Sequence, residues 1–132
     1  MGVSPLCVTA FTATCAAGVG ASALAAALRS RRSGLRPNDF SPTPLGTWIG
    51  RVPGLEDRPL PAPLAAWDCR NNRLALLGLD ADGFRGRVAA ARERYGAHRV
   101  ALVVGTSTAS IAETEEGYRL VQADGQFPPH LC

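Results

Sequence analysis

The stretch "HRVALVVGTSTASIAETEEGYR", residues 98–119, combines an apolar run, a small-residue turn and a cluster of carboxylates, a pattern that can hold a ligand or a nucleophile. A short apolar run, Val100 to Val104, breaks at Gly105 into Thr106, Ser107, Thr108, Ala109 and Ser110. Backbone amides in such a turn can face an anion or an oxyanion. The same hydroxyls can also cap the helix that follows, with no ligand needed. Glu113, Glu115 and Glu116 come next and read as the solvated N-terminal half of that helix. Carboxylate-pair hydrolysis needs a second, separate acid in a cleft, and none is identified. Cys15, in "TATCAAGVG", sits at a strand-to-helix turn that could activate a thiol. It lacks a base, because nothing in the spacing links it to His98 or His130, so a buried structural cysteine is the simpler reading.

Two further patterns bear on a ligand or metal site. Gly18-x-Gly20-x-x-Ala23 is a near match to the dinucleotide-binding fingerprint. The acidic residue expected about 20 positions later is missing, since that region reads "RSGLRPNDFSPTPLG". The plainer reading is that small residues let a helix and a strand pack closely. Cys7, Cys15, Cys69 and Cys132 are widely spread, without the close paired spacing of a zinc site. Neither a metal nor a cofactor is expected.

The elements that would position these groups are read as follows. A strand is expected over 6–14 and a helix over 20–31, with Gly34 soon after its end. Residues 35–66 hold most of the prolines and form a long irregular excursion, relieved by a possible short strand at Thr47–Val52. Asp68 could cap a helix starting near Cys69, which then runs on with a break at Asp80–Gly83. A second strand is expected over 98–104 and a further helix over 109–123. Strands alternating with helices imply an α/β chain with a parallel sheet. Two or three strands cannot bury both faces of such a sheet, so the sheet is expected to be incomplete.

Composition narrows the classes. The chain has 132 residues, 46% of them hydrophobic, and a net charge of +3. All 14 basic residues are arginine, scattered except for the knot Arg29–Arg32. No clustered basic footprint points to nucleic acid, and that knot suits a helix C-terminus. The apolar N-terminal stretch lacks a basic leader and is interrupted by Pro5, Gly18 and Gly20, so neither a signal peptide nor a membrane span is expected. Reduced thiols and a cytoplasmic location follow from the same reading.

Three stretches, in order, resemble the amino-terminal part of a β-ketoacyl-acyl-carrier-protein synthase. They are "VTAFTATCAAGVGASALAAALRSRRSGLRP", "WDCRNNRLALLGLDADGF" and "RVALVVGTSTASIAETE". The resemblance implies a partial thiolase-like fold, part of the amino-terminal βαβ-type half, with residues 1–132 as a fragment of a larger domain. It implies decarboxylative condensation in fatty-acid or polyketide-type biosynthesis, on an acyl group held by a cysteine and assisted by two histidines and a lysine. Those groups lie further along the family's chain. "TATCAA" at Thr12–Ala17 occupies the first strand and is not the family's nucleophile turn, and the chain has no lysine.

By the same resemblance, Ser107 and Thr108 would border the acyl pocket. The basic residues that often precede the aspartate-led helix are replaced by "PLPAPLAAW", leaving Arg70 and Arg73 as the candidates for carrier docking. An acyl carrier protein is the implied partner, with a homodimer or a heterodimer formed by a synthase-like subunit. This chain alone is expected to be inactive. The alternative is a non-catalytic binding or dimerisation module similar to a chain-length factor.

Overall fold

A computed structural model describes residues 5–40, 45–105, 111–121 and 125–127, with the side chains of 112 and 113 left aside. It is a mixed α/β chain in two units, residues 1–101 and 102–132. The first unit opens on a short hairpin. β1 (Thr14–Cys15) pairs antiparallel with β2 (Gly18–Val19) across a tight turn at Ala16 and Ala17. α1 (Ala21–Arg29) follows directly and packs against both strands. Its run of Ala and Leu favours helix, and Ala27 on its inner face is buried. Beyond its last turn the Ser30 hydroxyl donates to the Ala26 carbonyl, 2.9 Å away.

A second hairpin joins β3 (Leu35–Pro37) to β4 (Trp48–Gly50), with Arg36 opposite Ile49. The strand expected near Thr47–Val52 is therefore present. Its partner had no signal of its own, being only "LRP". A turn of 3₁₀-helix over Ala62–Trp67 leads into α2 (Arg70–Asp80). Another, Ala81–Gly83, leads into α3 (Phe84–Tyr95), and a third covers Ala97–Arg99. The expected break at Asp80–Gly83 is found, and it has a definite geometry. Asp82 (φ 55°) and Gly83 (φ 67°) are both left-handed, which reverses the chain between α2 and α3. In the second unit α4 (Ile111–Arg119) is the described element, and Tyr118 meets the Phe127 ring edge-on at 5.4 Å.

Three expectations need correction. Both sheets are antiparallel hairpins, not a parallel sheet. The long strand over 6–14 is reduced to Thr14–Cys15, and 100–104 contains no strand. Val, Thr and Phe supply a preference for extended backbone, but a strand also needs a neighbour to accept and donate its hydrogen bonds. Neither segment has one among the described residues. Asp68 does not cap α2: Cys69 is the N-cap residue, and the Asp68 carboxylate turns to Arg73 and to the Leu60 amide.

The core is small. Among the described residues the buried apolar side chains are Ala27, Leu55, Leu60 and Leu77. Leu77 lies on the face of α2, a helix that packs on β1 and α3. Trp48 and Trp67 stay exposed.

Candidate functional site

The two arginines proposed for carrier docking lie three residues apart on α2 and converge on the loop that precedes it. Arg70 donates from Nε to Glu56 Oε1 at 2.8 Å, and its Nη2 lies 2.7 Å from the same oxygen. Arg73 grips Asp68 with two parallel bonds, Nε to Oδ1 and Nη2 to Oδ2, both 2.6 Å. Its third donor, Nη1, reaches the Glu56 carbonyl at 3.0 Å. This fork-on-carboxylate geometry is the strongest ion pairing an arginine makes. The hydrogen bond from Arg70 holds Glu56 below the usual glutamate range, and that from Arg73 does the same for Asp68.

The network extends into the excursion. Arg51 joins Asp39 at 3.1 Å and Glu56 at 3.8 Å, and Asp39 also takes Arg36 at 3.0 Å. Phe40 offers its ring to two cations, Arg70 at 4.5 Å and Arg51 at 5.7 Å. Together these contacts tie the β3–β4 hairpin to the start of α2. The charge of Arg70 and Arg73 is thus already matched by Glu56 and Asp68. A docking carrier would have to compete with those carboxylates, while Arg70, the more exposed of the two, keeps an open edge.

The glycine turn that resembles a nucleotide loop is also filled from within. Asp82 places Oδ2 2.7 Å from the Ala21 amide at the start of α1, and the Thr12 hydroxyl donates to the same oxygen at 2.9 Å. The positive end of α1 therefore holds a carboxylate supplied 61 residues later in the chain. A Cβ on Gly20 (φ 89°) would come within 2.8 Å of that carboxylate. A Cβ on Gly18 would lie 2.6 Å from Ala23 Cβ. These glycines serve close packing and the Asp82 cap, in line with the plainer reading of the motif.

This cap makes a pH prediction. The Ala21 amide, and after it the Thr12 hydroxyl, hold the Asp82 carboxyl below its ordinary value. The folded state favours the ionised form, so the contribution is complete above the usual aspartate pKa of about 3.9 and fades as pH falls through the lowered value. In a circular dichroism titration the wild type should lose helical signal in that acid window. Asp82→Asn should begin with less helix at pH 7 and change less across the window. Identical titrations of the two proteins would remove the carboxylate from the role of cap.

Ser107 and Thr108, the acyl-pocket residues of the sequence reading, lie outside the described residues. No hydrogen bond joins a cysteine to His98, and no group of three metal-binding side chains forms, among the described residues. None of the described helices is long and apolar enough to cross a membrane. Compared with family models, curated proteins and solved structures, the chain matches none.

Asp82, Glu56 and Phe40 were missed as site residues. "DADG" announces a turn but not the distant helix start that its second aspartate reaches. Glu56 and Phe40 sit in the proline-rich excursion, where no periodicity assigns a face.

Proposed function

We propose that the chain is the amino-terminal, β-ketoacyl synthase-like part of a condensing protein of fatty-acid or polyketide-type biosynthesis. In this reading the fold is a partial thiolase-like one, and its role is to supply scaffold and part of the acyl-pocket wall. The reacting cysteine, histidines and lysine come from other residues of the complete protein.

The observation that supports it most is the contrast between the small buried core among the described residues and open segments of β-preferring residue types. Leu6, Val8 and Phe11, and later Leu102, Val103 and Val104, are all exposed. Val8 and Phe11 belong to the first of the stretches that resemble the family, and Leu102, Val103 and Val104 to the third, while Leu6 lies just before the first. Such residues stabilise a fold only when something covers them, by about 1.5–3 kcal/mol for each large apolar side chain. In a condensing enzyme the rest of the sheet would do so. The neutralised Arg70–Arg73 pair favours the alternative within the same class of assembly, a non-catalytic partner subunit similar to a chain-length factor.

Thr108 supplies the test. It is β-branched and stiff at χ1, and its hydroxyl must find a partner if buried. In a condensing assembly containing this chain, Thr108→Phe should shift the product profile toward shorter acyl chains by filling the pocket. A methylene in an apolar pocket contributes about 1–3 kcal/mol, so the shift should be graded and not a loss of activity. An unchanged chain-length profile, with the assembly intact, would show that this turn does not line the pocket.

A further inference from the structure

The arginines outside Arg29–Arg32 are less scattered than the sequence reading has them, because several share one helix and the turn after it. Residues 84–99 contain five of the 14 arginines and, of the 11 acids, only Glu93. That is a net charge of +4 in a chain whose total is +3. α3 and the turn after it carry all of it. Phe84, Val88 and Ala91 form the half-buried stripe of α3, which packs on α2. Arg85 and Arg92, seven residues apart, stack on one flank of that stripe, and Arg87 and Arg94 stack on the other. The outward face between the two rows is made of Gly86, Ala89, Ala90 and Glu93, all exposed.

The fold does not use these cations fully. Arg85 pairs with Asp80 at 2.7 Å, Arg87 feels the charge of Asp82, and Arg94 lies over the Tyr95 ring at 5.1 Å. Arg92 and Arg99 make no ion pair among the described residues. The fold does not explain Gly86 either. A Cβ there would meet nothing within 4 Å, and glycine inside a helix costs about 1 kcal/mol relative to alanine. Further along the helix, Ala89, Arg92, Glu93 and Ala97 border a shallow, open dent in the surface.

From this we infer that the outward face of α3 docks an acidic α-helix of a partner protein. Small residues at 86, 89 and 90 allow a second helix to approach closely, as helix pairs packed at 8–10 Å do. Two flanking rows of arginine then reach carboxylates on either side of that helix. A second copy of this chain would bring the same positive face and be repelled. A DNA duplex could meet the same arginines through its phosphates, and its binding is therefore an outcome that the test separates. This inference does not depend on the synthase-like reading.

The test uses the whole chain and three fluorescent probes at low and physiological salt. One is a 20-residue helical peptide whose outer positions are glutamate, another is a disordered polyglutamate of equal charge, and the third is a 20-base-pair DNA duplex. Fluorescence anisotropy should show the helical acidic peptide bound more tightly than either control. Arg87→Glu/Arg94→Glu should weaken it by about tenfold or more, because charge complementarity is reversed. Gly86→Trp should weaken the helical peptide in particular, whereas Gly86→Ala should leave binding unchanged and raise the helical signal. Circular dichroism confirms that each variant keeps its helices. DNA or polyglutamate binding as tightly as the helix, or a Gly86→Trp variant that binds normally, would overturn the proposal.

Discussion

Replacing Gly34 with alanine should destabilise the first unit more than any other single-methyl change in it. Gly34 lies just before β3, where the chain passes over the β1–β2 turn. A Cβ at this position would sit 2.4 Å from the Ala16 carbonyl carbon, 2.5 Å from the Ala17 amide nitrogen and 2.6 Å from the Ala16 oxygen. These are backbone atoms of a tight hairpin, so no side-chain rotation can relieve the overlap. Either the hairpin or β3 must move, and the Arg32 Nη2 bond to the Ala17 carbonyl, 3.1 Å long, moves with it. Inserting one carbon into a packed site costs about 1–3 kcal/mol, and a backbone clash belongs at the upper end. Gly46→Ala is the control, since a Cβ there meets nothing within 4 Å. In a Trp67→Phe background the fluorescence of Trp48, on the neighbouring strand, should change at clearly lower urea for Gly34→Ala and at nearly the same urea for Gly46→Ala, across a transition that is broad in both. An equal urea dependence would mean that β3 does not pass as close to the hairpin as a 2.4 Å approach to the Ala16 carbonyl carbon requires.

Much of the helical structure could be read from residue types. The Ala- and Leu-rich run over Ala21–Arg29 carries its own propensity, and "DADG" marks the reversal between α2 and α3. What could not be read depends on partners distant in sequence. Leu6 to Phe11 and Val100 to Val104 look like strands by composition, but composition says nothing of whether a neighbour exists to pair with them. Asp68 looked like a cap because it precedes a helix. Arg73, five residues on, offers it two charge-assisted bonds, which outweigh a single bond to a backbone amide. The candidate site was legible in the same uneven way. Arg70 and Arg73 could be singled out from the sequence, while the carboxylates that occupy them could not.

The purified chain should associate, or populate a partly ordered state that binds apolar dyes. Leu6 is 91% exposed, Val8 81% and Val103 90%, and Trp67 and Leu28 are open as well. Monomeric proteins seldom leave contiguous apolar patches larger than a few hundred Å² uncovered, and larger ones mark interfaces or aggregation. Against these, Ala27, Leu55, Leu60 and Leu77 give the first unit little interior to drive an all-or-none transition. Fluorescence of an anilinonaphthalene dye should therefore rise on addition of the chain. It should fall again when the chain is assembled with the elements that cover these segments. If the chain is scaffold awaiting cover, sedimentation velocity across a tenfold range of concentration should show concentration-dependent oligomers with dye bound. A single monomeric species that binds no dye and melts in one sharp cooperative step would contradict it.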